Sequence, residues 1–248
     1  VINALFYREL KTRVSEVRFG LVGVFIEPIG VMAIFLIIFS FLRGSRGDGL
    51  DTALFLAVGI INYNNFSEIA IRSLNAMRAN EALFFYKPVK PVDTVVARSL
   101  VETGLFGIAF LVILFGIYII REQFTLQNFP LLVISYCLLS LTSFGLGLVI
   151  MVAGFRYPSL HQIFPLAIRP LWFVSGVFYS VSSIPERLKP FISWNPIIQC
   201  IELGRYALST NYILDDSISL PYLFACSGFT CAFGFWIYFN NEKLLLTR

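Results

Sequence analysis

Four ionisable residues stand inside long apolar runs: Glu27, Glu68, Glu102 and Arg169. Charges at such depth are costly in hydrocarbon and normally face a bundle interior or a water-filled path. Glu68 and Arg72 are four apart, as are Arg98 and Glu102, so each pair can meet along one helix face. Pairing within or between helices is one account of these groups. Arg169 has no acidic residue at that spacing and precedes Pro170, which loosens a helix. Two accounts stay open for it: meeting a passing phosphate or carboxylate, or packing against one of the glutamates. Bond-making chemistry finds little support. His161 is the only histidine, which argues against a Ser-His-Asp arrangement or a histidine-rich metal site. It reads as an interfacial polar residue. The sequence holds no Gly-Lys pair, so no Walker-type phosphate loop. Asp215-Asp216 reads as a solvated turn rather than a metal site, and Asn65-Phe66-Ser67 is a sequon buried in an apolar run. Cys137, Cys200, Cys226 and Cys231 lack zinc or disulfide spacing and read as packing residues. No catalytic residue, no metal and no cofactor are expected in this chain.

The elements around these residues follow from composition. Of 248 residues, 57% are hydrophobic and 14% charged, with a mean hydropathy of +0.78. Soluble domains carry about a quarter charged residues, so lipid is the solvent for much of this surface. A net charge of +4 asks for no nucleic-acid partner. Apolar runs long enough to cross a bilayer predict six spans, at 22–42, 53–74, 94–120, 129–154, 162–181 and 220–240. Before them, Ile2, Leu5, Phe6, Leu10, Val14 and Val17 recur at helical spacing. Arg8, Lys11, Arg13, Glu16 and Arg18 fall between. This predicts an amphipathic interface helix over 1–20. No cleavable signal pattern is expected at the front, because basic residues interrupt it. The whole chain, 1–248, reads as one domain.

Lys and Arg set the orientation. With the N-terminus inside, the inner segments hold Arg8, Lys11, Arg13, Arg18, Arg72, Arg78, Lys87, Lys90, Arg98, Arg156, Lys243 and Arg248. The outer segments hold only Arg43, Arg46, Arg121, Arg187, Lys189 and Arg205. Both termini are therefore expected in the cytoplasm. A basic, aromatic loop at 75–92 then faces inward, shaped to touch another protein. The outer segment 182–219 is too long for a hairpin and too apolar for a solvated loop. It predicts two short re-entrant helices, shielded by protein or a water-filled cavity. Aromatic residues make up 16% of the chain. Trp172, Phe173, Phe178 and Tyr179 cluster beside Arg169 and near Trp194. Such rings suit the apolar faces of sugars, although core and lipid contact explain them equally. Ser143 with Gly147, and Thr103 with Gly107, are small pairs that permit close helix approach.

Several segments together carry a resemblance. They are Phe6-Tyr7-Arg8-Glu9-Leu10-Lys11-Thr12-Arg13, the pair Glu27-Pro28, the stretch from Asn80 to Asp93, and Trp194-Asn195-Pro196 followed by Glu202-Leu203-Gly204-Arg205. In this order the chain resembles the inner-membrane permease of bacterial capsular polysaccharide ABC exporters, within the ABC-2 transporter family. The resemblance implies an all-α membrane protein of the ABC-2, type V exporter-like kind. Its six spans would carry an N-terminal interface helix and re-entrant periplasmic helices between the fifth and sixth. It implies a homodimer over two separate ATP-binding cassette subunits, which hold ATP and Mg, in the bacterial inner membrane. The cargo it implies is a lipid-linked capsular polysaccharide, passed on to periplasmic and outer-membrane export proteins. By the same resemblance Met77, Arg78, Asn80, Glu81, Leu83, Phe84, Phe85, Tyr86 and Lys87 form the coupling segment. Arg8, Glu9 and Arg13 lie beside it. The resemblance also implies a periplasmic gate of Trp194, Asn195, Pro196, Glu202 and Arg205 and strengthens a path role for Arg169, and the aromatic cluster Trp172, Phe173, Phe178 and Tyr179, with Glu27, is expected along the same translocation path. Two rivals remain: an ABC-2 permease for O-antigen, teichoic acid or a drug, and a membrane enzyme acting on lipid-linked sugars.

Overall fold

The computed structural model describes residues 1–16, 26, 29–38, 50–81, 84, 89–121, 127–209 and 211–246. The ordered elements among them are all helical. They are α1 (Ile2–Glu16), α2 (Ile29–Ile38), α3 (Thr52–Leu74), α4 (Ala76–Ala79) and α5 (Pro91–Arg121). After these come α6 (Phe129–Arg156), α7 (Leu160–Val174), a 3-10 turn at Val181–Ser183, α8 (Lys189–Ser193), α9 (Pro196–Leu208) and α10 (Leu220–Leu246).

Local chemistry sets the helix starts. Asp51 accepts from the Ala53 amide at 2.9 Å to cap α3. Asn128 accepts from the Leu131 amide at 3.1 Å to cap α6, and Asn195 caps α9 through the Ile197 amide at 3.0 Å. Such caps satisfy amides that would otherwise be orphaned in an apolar medium. Four of the helices, α3, α5, α6 and α10, are long and apolar enough to cross a membrane. At 1.5 Å per residue the 23 residues of α3 reach about 35 Å, more than a hydrocarbon core of about 30 Å.

Helix α3 is the hub. It is buried along nearly its whole length and packs on α5, α6, α7 and α9. Helix α10 leans on α6, and the closest approach there is Gly145 against Gly234. A Cβ at Gly145 would stand 2.5 Å from the backbone of Thr230, and one at Gly234 would strike the Gly145 carbonyl. The expected small pair Ser143–Gly147 also proves to be a contact surface, because Gly147 abuts the Ser73 side chain on α3. Gly107 sits at ordinary distance from the Tyr136 ring. Gly145→Ala should therefore lower the thermal midpoint, at a cost of about 1–3 kcal/mol. Gly228→Ala, whose Cβ meets nothing within 4 Å, should not. Equal midpoints for the two variants would refute the close packing.

Two expected spans differ from their sequence bounds. The run at 162–181 becomes α7, only 15 residues long, with Pro165 and Pro170 inside it. That length reaches about 22 Å, short of the hydrocarbon core. The chain then turns at Gly176, whose φ of 71° only glycine adopts freely. The following Val177 lies fully buried rather than extending the helix. Of the run at 22–42, α2 covers Ile29–Ile38; the remainder, apart from Ile26, lies outside the described residues. The interface helix expected over 1–20 is described as Ile2–Glu16. Its Phe6 and Leu10 pack on Val101 and Leu105 of α5. The segment 182–219 supplies the short α8 and the 13-residue α9, and α9 is buried against α3 and α6.

Candidate translocation path and coupling site

The amphipathic helix α1 is locked to the bundle by charge. Glu9, 3% exposed, pairs with Arg98 of α5 at 3.3 Å. Arg13 reaches Glu102 at 3.2 Å and Glu68 at 3.5 Å. Arg72 meets the same two carboxylates, at 2.7 Å for Glu102 and 3.3 Å for Glu68. The expected Glu68–Arg72 pair is thus present. Arg98, by contrast, pairs with Glu9 and donates to the Arg72 carbonyl at 2.6 Å, while Glu102 takes Arg13 and Arg72. The i,i+4 spacing allowed a local Arg98–Glu102 pair, but partners from α1 and α3 claimed both groups.

From α1 the link runs on to the coupling segment. Arg8 donates to the Asn80 Oδ1 at 2.5 Å, and Asn80 donates back to the Ala76 carbonyl at 2.9 Å. Asn80 is buried, and Met77 anchors α4 against Val95, Leu148 and Met151. Arg78 and Glu81 stay exposed and Phe84 is half-buried, so this turn presents a charged surface on an apolar footing. Beneath it is a cavity of 270 Å³ lined in part by Arg78, Glu81, Phe84 and His161. Leu83, Phe85, Tyr86 and Lys87 lie outside the described residues.

A second cavity, 490 Å³, opens between α2, α3, α5 and α7. Its wall includes Arg169, Trp172 and Phe173 from α7, with Tyr63, Asn64 and Glu68 from α3 and Val31 from α2. Three of the expected path residues therefore converge. Phe178 packs on Trp172 at 5.0 Å between centroids, and on Phe35 at 4.5 Å, behind that wall. Tyr63 donates its hydroxyl to the Ile168 carbonyl, pinning α7 to α3. Arg169 is exposed and forms no ion pair among the described residues. Glu27 lies outside them.

The expected gate residues do two different jobs. Asn195 and Pro196 start α9, and Asn195 also donates to Ser175 at 3.3 Å. Trp194 is 77% exposed, with its carbonyl taking the Tyr222 hydroxyl at 2.8 Å. Glu202 and Arg205 are instead fully enclosed. They pair at 3.0 Å, and Arg205 donates to the Val177 and Tyr179 carbonyls at 2.9 and 3.0 Å while lying over the Phe55 ring. Glu202 accepts from Tyr212 at 2.9 Å. This knot ties α9 to α3 and to the turn after α7. Tyr179 reaches it only through its backbone carbonyl.

Sequence reasoning missed Gln199, Tyr212 and Asn62. Gln199 is buried and holds the Ser193 and Ser217 carbonyls and the Ser219 amide. Asn62 bonds Cys200, and Asn65 bonds Ser140. A polar residue every few positions in the apolar α3 was the available signal. Nearby, Asp215 accepts from Ser217 and pairs with Lys189 at 2.6 Å. Burial opposes charge on Asp215, but the bonds from Lys189 and Ser217 win and lower its pKa. Bonds from Asp215 and Glu186 raise that of Lys189. Among the described residues no group of three His, Cys, Asp or Glu side chains could hold a metal ion.

Four helices long and apolar enough to cross a membrane, an amphipathic helix latched to the turn at Asn80, and a cationic aromatic-walled cavity define a multispan membrane protein of the transporter class. A model of the ABC-2 type transporter family matches residues 1–209, and the chain belongs to that family. It is 34% identical over 246 residues to the polysialic acid transport protein KpsM of Escherichia coli, covering 99% of this chain and 95% of that protein. The capsule polysaccharide export inner-membrane protein CtrC of Neisseria meningitidis serogroup A is 27% identical, over 83% of this chain and 77% of CtrC. The O-antigen export system permease protein RfbA of Klebsiella pneumoniae is 22% identical, over 95% and 89%.

Proposed function

We propose that this chain is the permease subunit of an ATP-driven exporter that moves a lipid-linked capsular polysaccharide from cytoplasm to periplasm. The observation that carries a transport path is the 490 Å³ cavity, where Arg169, in no ion pair among the described residues, lies with aromatic side chains. The cation suits the phosphate of a lipid anchor or an acidic sugar, and the rings suit sugar faces. The polysaccharide rests on the likeness to KpsM and CtrC over most of the chain. In this reading two copies of the chain sit over two ATPase subunits, which bind ATP and Mg. The exposed face around Arg78 and Glu81 docks on them. The inner membrane holds six spans per copy with both termini in the cytoplasm, α8 and α9 dip into it from the periplasmic side, and the polymer passes on to export proteins beyond. ATP binding shifts the population between two packings, and coupling requires that substrate bind them unequally.

Deleting the gene should leave capsule polymer trapped inside the cell, and a plasmid copy should release it. Trapped O-antigen with normal capsule would move the assignment to the activity named for RfbA. Orientation is tested in a variant lacking the four native cysteines. A cysteine replacing Arg78 should react with an impermeant maleimide only in inside-out vesicles; reaction in intact cells would invert the topology.

A further inference from the structure

Glu68 is the residue common to the cavity and the latch. It lines the 490 Å³ cavity with Arg169, and it pairs with Arg13 of α1 and Arg72 of α3. The other carboxylate of the latch, Glu102, is 1% exposed and does not line the cavity. Glu68, at 30% side-chain exposure, is the member open to it. Beyond Arg13 the same helix carries Arg8, which holds Asn80 of the coupling turn at 2.5 Å.

We propose that Glu68 is the positioning residue through which the occupancy of the cavity is read by the coupling turn. The proposal rests on the reading of the cavity as the path of an anionic, lipid-linked glycan. Glu68 has two sets of cations within its neighbourhood: Arg13 and Arg72 behind it, and Arg169 across the cavity. An anion held by Arg169 cancels the pull of that cation on Glu68, so Glu68 bears more firmly on Arg13 and α1 is clamped to α3. Without the anion, the field of Arg169 across the cavity weakens the hold of Glu68 on Arg13, which stands at 3.5 Å, while the Arg13–Glu102 and Glu9–Arg98 pairs remain. The two arrangements differ in the hold on Arg8 and hence on Asn80. That difference is what coupling between two sites requires. Neutral Glu102 substitutes would collapse the latch in both states, whereas loss of the Glu68 charge removes only its dependence on the cavity.

The test uses the permease–ATPase complex in lipid vesicles, with the polymer–lipid conjugate extracted from the producing cells. Two quantities are read: the ratio of ATP hydrolysis with and without conjugate, and photo-cross-linking of a diazirine form of the conjugate to the cavity. Wild type should show both. Glu68→Gln should cross-link as wild type but lose about tenfold of the stimulation ratio. Glu68→Asp, which keeps the charge, should retain a substantial part of it, which a merely destabilised α3 would not do. A Glu68→Gln complex stimulated like wild type overturns the proposal, as does a Glu68→Asp complex no better than Glu68→Gln. A wild-type complex neither stimulated nor cross-linked overturns the path reading itself, and the proposal with it.

Discussion

Arg205→Leu should cost about 3–5 kcal/mol, because it strands the Glu202 carboxylate in a site with no access to water. Arg205 is 0% exposed and holds together Glu202, two carbonyls of the turn after α7, and the Phe55 ring. No leucine packing replaces those donors. Against a total stability of about 5–15 kcal/mol the loss is large. The thermal midpoint in detergent should fall by about 10 °C, and the yield of folded protein with it. Arg205→Lys should fall between, since an ammonium cannot fork to the carboxylate and both carbonyls at once. Replacing both members, with Glu202→Gln and Arg205→Met, should be milder than Arg205→Leu alone. A midpoint for Arg205→Leu within about 2 °C of wild type would show that the knot contributes little.

The second large effect is functional. Arg169→Glu should abolish export while leaving the fold intact. Arg169 is exposed, and no described residue pairs with it, so no ion pair among the described residues is lost. In the cavity the sign of the field reverses. Two unit charges about 4 Å apart interact by about 4 kcal/mol at an effective dielectric of 20. Surface polymer, measured by capsule immunoassay, should therefore drop at least about a hundredfold. Arg169→Lys keeps the charge but loses the planar fork, so it should retain part of the export. Full export by Arg169→Glu at normal protein level would remove Arg169 from the path.

Much of the architecture was legible because lipid imposes simple rules. A run of about 20 apolar residues spans, and this located α3, α5, α6 and α10. The alternation of Leu5, Phe6 and Leu10 with Arg8, Lys11 and Arg13 located α1. What apolar length alone did not show at 162–181 was where the helix ends. Apolar character continues past Val174, but Gly176 permits a turn, and Val177 then satisfies its apolar demand by burial against α3. Hydrophobicity reports that a residue leaves water; it does not report whether lipid or protein receives it.

The site was legible in types and not in partners. Glu68, Glu102 and Arg169 stood out because charge in an apolar run demands an explanation. Spacing offered Arg98 to Glu102, yet Glu9 and Arg13, some 90 residues distant in the chain, took those places. Likewise Glu202 and Arg205, expected in the gate, pair within a sealed knot, with Tyr212 recruited beside them. The sequence alone determined that this is a multispan helical protein with a basic elbow between apolar runs and a few stranded charges, because composition and periodicity act along the chain. Only the tertiary structure decided which charges pair, which stay open to the cavity, and where α7 stops. Those outcomes depend on distances between elements remote in sequence, and at a few ångströms the Coulomb and desolvation terms that choose a partner change by several kcal/mol.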